Sequence, residues 1–126
     1  MRLLLDTAAL IYAVTAPERL SKRVAGLLQD SQHILEVSSI SLAEIAIKAN
    51  LGKLEISATD ARQAILDLDA RILGYTGEHA LSLFGLPSHH RDPFDRQIIA
   101  QALFEGIPVL TPDEMFSLYR GLKVIW

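Results

Sequence analysis

The sequence predicts an α/β protein with a short parallel central sheet of about five strands, flanked by helices on both faces. Residues 2–6 form an apolar run without polar alternation, which is typical of a strand buried on both faces of a parallel sheet. Similar short runs alternate along the chain with segments of helical periodicity, the pattern of βα units. No linker, repeat or low-complexity tract divides the 126 residues, so we expect one domain spanning residues 1–126.

Each strand is predicted from a short aliphatic run, and each helix from apolar residues that recur three or four positions apart. The predicted strands are residues 2–6, 34–38, 72–75, 107–110 and 123–126. The predicted helices are residues 8–14, 21–30, 41–50, 60–71, 78–86, 94–105 and 112–119. Pro17 ends the first helix, and Gly52 and Gly106 follow the ends of two others, where glycine commonly stops a helix. Residues 87–93 are expected to form a polar loop.

The composition narrows the class of function. The net charge of −3 argues against binding of nucleic acid through a broad basic surface. The negative net charge does not exclude a substrate that contains phosphate, because divalent cations can bridge acidic side chains to phosphate oxygens. The absence of cysteine removes disulfides and thiolate metal sites. No apolar run reaches the ~18 residues of a membrane span. Asp6 also interrupts the start before a signal-peptide core could form, so we expect a cytoplasmic protein without membrane association.

Four acidic residues lie where the chain is predicted to turn from one element into the next helix. Asp6 ends the first strand, and Glu44 and Asp113 lie in the first turns of helices that follow other strands. Asp95 lies in the first turn of the helix after the polar loop. Ligands of open parallel sheets bind beyond the carboxyl ends of the strands. We therefore expect these four carboxylates near the same edge of the sheet.

Helix capping offers an alternative explanation for two of these acids. Glu44 would bond the amide of Ser41 in a capping box. Glu114 would play the same part with Thr111 as the N-cap, which leaves Asp113 outside the box, although the helix dipole still favours its charge. Taken singly, each acid is therefore better explained by capping or surface solvation than by catalysis.

The segment around Asp92 also predicts a helix start, whereas Asp6 has no such explanation. Asp92 would be the N-cap, Pro93 the first helical residue, and Asp95 would lie within the first turn. Asp6 follows directly on an apolar strand, where burying a bare carboxylate is costly. It is the acid that capping does not account for in the sequence.

Carboxylates gathered at one sheet edge repel one another and require a cation. A pair about 4 Å apart costs roughly 4 kcal/mol at an effective dielectric constant near 20. With no cysteine and no histidine pair at ligand spacing, hard oxygen donors predict Mg²⁺ or Mn²⁺. Such ions at carboxylates are suited to phosphodiester hydrolysis, since they lower the pKa of an attacking water and stabilise the leaving oxygen.

Several neighbouring side chains are weaker candidates for the same site. Thr7 and Thr111 adjoin predicted acids and could orient ligands or water, although capping alone explains Thr111. Arg91 and Arg96 flank the Asp92 segment and are candidates for phosphate contacts, with surface solvation as an equal alternative. The adjacent histidines at 89–90 are better explained as part of a solvated loop.

Four segments, in order, resemble the PIN-domain family, especially the VapC-type toxins of bacterial type II toxin–antitoxin pairs. The first is Leu-Leu-Leu-Asp-Thr at residues 3–7. The second is Ser-Leu-Ala-Glu-Ile at 41–45, followed by Lys48 and by Leu-Gly-Lys-Leu at 51–54. The third is residues 90–96, leading into 98–102, and the fourth is residues 110–113 with Phe116. The resemblance extends from residue 2 to Trp126.

The resemblance implies a PIN domain with Mg²⁺- or Mn²⁺-dependent endoribonuclease activity, usually a homodimer, and inhibited by a cognate antitoxin. RNA would be the substrate. By position, Asp6, Glu44, Asp95 and Asp113 match the metal-binding acids of the family. Asp92 and Asp95 are alternatives for the third ligand, and Asp95 is favoured because capping accounts for Asp92.

One departure and three competing interpretations accompany the resemblance. Many relatives have histidine at the position that Ala8 occupies here, which removes a polar group near the site. A catalytically silent module that binds RNA or a protein is the main alternative, but a pure binder has no need of mutually repelling acids. An aspartyl phosphatase would usually have a second aspartate two residues after Asp6, where Ala8 stands. A response-regulator receiver would have an acidic pair near the end of the first strand, and this pair is also missing.

Partner binding is also predicted from apolar surface. The helix at 8–14 is apolar almost all round, and the second half of the chain is rich in aliphatic residues. This is more hydrophobic surface than one small core is expected to cover, which predicts a homodimer. An antitoxin would be expected to present a basic side chain to the acidic cleft.

Overall fold

The computed structural model describes every residue from Met1 to Trp126 and contains a parallel five-stranded sheet. The strands are β1 (Arg2–Leu5), β2 (Ile34–Ser38), β3 (Arg71–Leu73), β4 (Val109–Leu110) and β5 (Val124–Ile125). They lie in the order β3-β2-β1-β4-β5, and each neighbouring pair is parallel. The predicted fold class is therefore confirmed, and β1 is the central strand.

Helices provide the connections between these parallel strands. They are α1 (Thr7–Thr15), α2 (Lys22–Gln29), α3 (Ser39–Asn50), α4 (Ala58–Asp67), α5 (Gly77–Ser82) and α6 (Pro93–Glu105). Short 3₁₀ helices cover Pro17–Arg19, Leu83–Gly85 and Glu114–Leu118. Gly106 ends α6 in the left-handed conformation at φ 67°, as predicted from the sequence. No helix has both the length and the apolar character needed to cross a membrane.

The central strand is buried on both faces, as its unbroken apolar sequence predicted. Leu4 belongs to a core cluster on one face that includes Ile98 of α6. Leu3 and Leu5 point to the other face, into a cluster that includes Val24 of α2. Full burial of each aliphatic side chain contributes about 1.5–3 kcal/mol. Two apolar layers therefore hold β1 in place, and with it the residue that follows its carboxyl end.

The helix predicted at 60–71 is shifted toward the amino terminus. Ser57 is the N-cap of α4, because its hydroxyl accepts the amide of Asp60 and the Asp60 carboxylate accepts the amide of Ser57. The helix ends at Asp67, and Asp69 takes a left-handed conformation at φ 50° before β3 begins at Arg71. The capping box at Ser57 lies one turn before the predicted start, so the helix begins earlier than expected. It also ends earlier, at Asp67 instead of residue 71.

The helix predicted at 78–86 is shorter and more exposed than its apolar residues suggested. The structure has α5 only as far as Ser82, followed by a 3₁₀ turn. Leu81 is 59% exposed and Phe84 is 91% exposed, so these two side chains do not contribute to the core. The helix predicted at 112–119 is the 3₁₀ segment Glu114–Leu118.

Candidate functional site

Asp6 lies directly after β1 and is buried, with 2% of its surface exposed. One carboxylate oxygen, Oδ1, accepts the amide of Ala9 at 2.8 Å, which makes Asp6 the N-cap of α1. The other, Oδ2, accepts the hydroxyl of Thr111 at 2.5 Å. The expectation that capping does not involve Asp6 was therefore wrong, since the strand passes directly into a helix without an intervening loop.

Burial raises the pKa of the Asp6 carboxyl to about 7, because the charged form loses contact with water. The hydrogen bonds from Thr111 and Ala9 act in the opposite direction. The negative charges of Asp95 and Asp113 raise the pKa further, which indicates that both acids lie near Asp6. A cation at this position would favour the charged form and lower the pKa again.

Thr111 and Asp113 follow the end of β4, beside β1 in the sheet. The hydroxyl of Thr111 accepts the amide of Asp113 at 3.0 Å and donates to Asp6. Asp113, not Thr111, is the N-cap of the following 3₁₀ helix, since its Oδ1 accepts the amide of Met115 at 2.9 Å. The predicted capping box with Thr111 as N-cap is wrong because the helix begins only at Glu114.

Glu44 projects from the second turn of α3 and is not part of a capping box. The helix begins at Ser39, and the hydroxyl of its N-cap Ser38 accepts the amide of Ile40 at 3.0 Å. Ser41, which the sequence suggested as the partner of Glu44, accepts the hydroxyl of Thr7 at 3.0 Å. The start of the helix two residues earlier than predicted leaves the Glu44 carboxylate available for another role.

The Glu44 carboxylate is buried, with 4% of the residue exposed, and only one of its oxygens has a hydrogen-bond partner. Oε2 lies 2.6 Å from Nζ of Lys48, one turn along the same helix. Oε1 is buried and has no partner. A buried acceptor without a partner costs about 1–3 kcal/mol, so this oxygen points to a missing donor or ion.

Asp92 and Asp95 stand at the start of α6 and have different surroundings. Asp92 is the N-cap, as predicted, with Oδ1 accepting the amides of Phe94 at 2.9 Å and Asp95 at 3.1 Å. The side chain of Asp95 is 17% exposed and accepts no hydrogen bond. Capping therefore occupies Asp92, while the Asp95 carboxylate remains available.

The pKa of Asp95 is raised to about 6, first by burial and then by the charges of Asp92, Glu44 and Asp113. The nearby ring of His90 acts in the opposite direction. The Asp95 carboxylate is thus repelled by acids of three different helical segments, and it in turn raises the pKa of Asp6. The four acids singled out in the sequence are brought together at the carboxyl edge of the sheet.

A second polar cluster, not predicted from the sequence, borders Asp95. Nε2 of His90 lies 3.5 Å from Oδ2 of Asp95, and its Nδ1 lies 2.8 Å from the hydroxyl of Tyr119. Arg96 donates to this hydroxyl at 3.1 Å and to the carbonyl of Pro87 at 2.7 Å. His90 is therefore packed rather than solvated, and Arg96 fixes the loop instead of facing a ligand. Arg91 is exposed.

Lys48 is the further residue that motif reasoning did not place at the site. Its pKa is raised by the hydrogen bond to Glu44 and by the charges of Asp92 and Asp95, so the ammonium faces the same acids. The spacing of Glu44 and Lys48 by four residues on a predicted helix was the available signal.

The donor set fits a hard divalent cation, although the carboxylates do not yet form a coordination shell. All the available donors are carboxylate or hydroxyl oxygens, which Mg²⁺ and Mn²⁺ prefer. The unpartnered Oε1 of Glu44 and the unbonded carboxylate of Asp95 are open to such an ion. No group of three or more acidic or histidine side chains is arranged at ligand distances, and both oxygens of Asp6 already accept hydrogen bonds, from Ala9 and Thr111.

The fold and the site define an α/β domain with an acidic cluster at the carboxyl edge of a parallel sheet, in which Asp6 and Glu44 are buried. The family model for the PIN domain matches residues 3–122. The chain therefore belongs to the PIN-domain family, as its four sequence segments suggested. No curated protein sequence matches it significantly.

Solved structures with the same fold come from several bacteria. The structure of VapBC2 from Rickettsia felis bound to a promoter DNA fragment matches with a TM-score of 0.76 and 18% identity, covering 100% of this chain and 99% of that one. VapBC from Salmonella typhimurium bound to DNA matches with 0.69 and 16%, covering 99% and 97%. FitAcB from Neisseria gonorrhoeae matches with 0.66 and 23%, covering 98% and 96%. At such identities these matches establish the shared fold.

Proposed function

We propose that this PIN domain is a Mg²⁺- or Mn²⁺-dependent endoribonuclease that acts as the toxin of a type II toxin–antitoxin pair. The observation that carries the proposal is the cluster of acids at the sheet edge, where burial and, to a smaller extent, mutual repulsion raise the pKa of Asp6 and Asp95. Repelling carboxylates at a buried edge cost stability unless a cation joins them. Membership of the PIN-domain family supports a nuclease.

Asp6, Glu44, Asp95 and Asp113 are the proposed catalytic residues and would hold the cation. Asp92 is the alternative to Asp95, but its Oδ1 is occupied as the N-cap of α6. A divalent cation at such a site supplies a lowered pKa for the attacking water and stabilisation of the leaving oxygen.

Neutral and basic side chains complete the proposed site. Thr111 holds the Asp6 carboxylate through its hydroxyl, and Thr7 ties α1 to α3 through Ser41. Arg91 is free to contact an RNA phosphate, whereas Arg96 is held by backbone carbonyls of the preceding loop. Arg91, which is exposed and precedes Asp92 in the sequence, is therefore the arginine proposed to contact the substrate.

Metal-dependent cleavage is the direct test of this function. The protein freed of metal by EDTA is expected to leave RNA intact, and addition of Mn²⁺ or Mg²⁺ is expected to start cleavage because the acids then hold their cation. Fragments resolved on a denaturing gel provide the measurement. Calorimetry with Mn²⁺ on the same sample separates the alternatives, since binding of metal and RNA without any product would favour a binding module instead.

A cognate antitoxin is the proposed protein partner, and the cytoplasm the proposed compartment. The structural neighbours from Rickettsia felis and Neisseria gonorrhoeae are VapBC2 and FitAcB, which supports a partner for this fold. The acidic cluster favours a partner that inserts a basic side chain among the carboxylates, as complementary charges do at interfaces. The lack of cysteine is compatible with a reducing compartment.

Homodimer formation remains a prediction, and we propose the α5–α6 side of the molecule, rather than α1, as its surface. Ala9 and Leu10 of that helix are buried, which accounts for part of its apolar character. The exposed large apolar side chains include Leu81, Phe84 and Phe104, on the α5–α6 side of the molecule. We expect light scattering at micromolar concentration to give twice the chain mass of 13.9 kDa. A monomer mass there would contradict the dimer.

A further inference from the structure

Lys48 holds one oxygen of a buried glutamate at the proposed metal site. Its ammonium lies 2.6 Å from Oε2 of Glu44, and the two residues are one turn apart on α3. The Lys48 side chain is 41% exposed, while that of Glu44 is 5% exposed. The lysine therefore neutralises a carboxylate that would be expensive to bury alone.

The other oxygen of Glu44 is left without a partner, in contrast to the other buried glutamate of the chain. Glu36 has both oxygens bonded to Arg2, at 3.1 and 2.9 Å. Oε1 of Glu44 has no hydrogen bond although it is equally inaccessible to water. A buried glutamate in this fold can thus have hydrogen-bond partners for both carboxylate oxygens, whereas Glu44 has a partner for only one of them.

We propose that Lys48 is a positioning residue for the metal site, which fixes the Glu44 carboxylate through Oε2 and leaves Oε1 as a preformed donor for a divalent cation. This inference rests on the proposed function. Partners outside the coordination shell commonly fix ligating carboxylates in this way, and removing them weakens metal binding about 10- to 100-fold.

Competition with the cation is the alternative role for this lysine. A competitor would engage the oxygen that the metal needs, and its removal would then strengthen metal binding. The geometry favours positioning, because the ammonium takes Oε2 from a partly exposed place and does not cover Oε1. The two roles predict opposite signs for the same measurement.

Calorimetric titration with Mn²⁺ alone tests the inference without relying on activity. We expect Lys48→Met to bind Mn²⁺ about 10- to 100-fold more weakly than the wild type, and Lys48→Arg to recover most of the affinity. Lys53→Met is the matched control, because Lys53 is exposed, makes no ion pair and causes the same change of net charge. Its affinity for Mn²⁺ is expected to equal that of the wild type.

Unchanged or tighter Mn²⁺ binding by Lys48→Met would overturn the positioning role while leaving the proposed function in place. A wild type that does not bind Mn²⁺ would overturn both. Circular dichroism and Trp126 fluorescence without metal check that each variant is folded. Lys48→Gln, which keeps a hydrogen-bond donor for Oε2 without the charge, replaces the methionine variant if that variant does not fold; a smaller loss of affinity is expected for it, and unchanged or tighter binding would overturn the positioning role.

Discussion

Replacing Asp6 with asparagine is expected to lower metal-dependent RNA cleavage by at least about 100-fold. Asp6 is the acid at the end of the central strand, and its charge would be lost from the cation site. Loss of a charged ligand removes several kcal/mol of transition-state stabilisation, and each 1.36 kcal/mol corresponds to a factor of ten in rate. Initial rates with Mn²⁺ at saturating RNA provide the measurement.

The fold of this variant is expected to remain intact, so that the loss can be assigned to chemistry. The asparagine oxygen can still accept the amide of Ala9, because asparagine is as good an N-cap as aspartate. Asp69→Asn is a suitable control, since Asp69 is exposed and asparagine tolerates its left-handed conformation. Full cleavage by Asp6→Asn would remove Asp6 from the proposed site.

The same pair of proteins can be compared in cells. Induced expression of the wild type is expected to arrest growth and to produce RNA fragments, whereas Asp6→Asn at equal abundance is expected to do neither. Growth arrest by both proteins would show that the toxicity does not depend on the Asp6 carboxylate. Arrest without fragments would favour the binding module over the nuclease.

The sequence predicted the central strand well because β1 has no polar alternation. A strand buried on both faces leaves a signature that does not depend on the rest of the fold, and Leu3, Leu4 and Leu5 carry it. The placement of Asp6 at the carboxyl edge follows from that strand alone. The order of the strands was not predictable, because it depends on which helices pack on each face.

Errors arose where several hydroxyl or acidic residues compete to start a helix. Ser38 and Ser41 are both good N-caps, and the structure uses Ser38, which moves Glu44 from a cap into the acidic cluster. Thr111 and Asp113 compete in the same way, and Asp113 is the cap. Local preference does not decide between caps two or three residues apart, because packing of the helix on the sheet determines its start.

Contacts between residues that are far apart in the sequence could not be predicted either. His90 lies in a polar loop, yet its ring is fixed by Tyr119, 29 residues further on. Phe84 is a large apolar residue in the turn after α5 but is exposed. Hydrophobic character predicts burial only when the segment has a surface to pack against, and this depends on tertiary structure.

Asp6 is also expected to make the metal-free protein less stable as the pH rises. The pKa of its carboxyl is about 7 in the folded protein, above the ordinary value of 3.8. A raised pKa means that the folded state binds the proton more tightly. The contribution of Asp6 to the stability of the protein is therefore greatest at low pH and falls between about pH 4 and pH 7. The charges of Asp95 and Asp113 add to this effect, since they repel the carboxylate as it ionises.

Asp6→Asn removes this titration and provides the comparison that isolates it. The variant should gain stability relative to the wild type between about pH 4 and pH 7, by on the order of 4 kcal/mol, because a shift of one unit corresponds to 1.36 kcal/mol. Urea unfolding in EDTA, followed by the fluorescence of the single tryptophan, gives both free energies of unfolding. Mn²⁺ should narrow the difference near pH 7 by stabilising the wild-type carboxylate. A difference independent of pH would show that Asp6 ionises at an ordinary pKa, and that its burial does not oppose its charge.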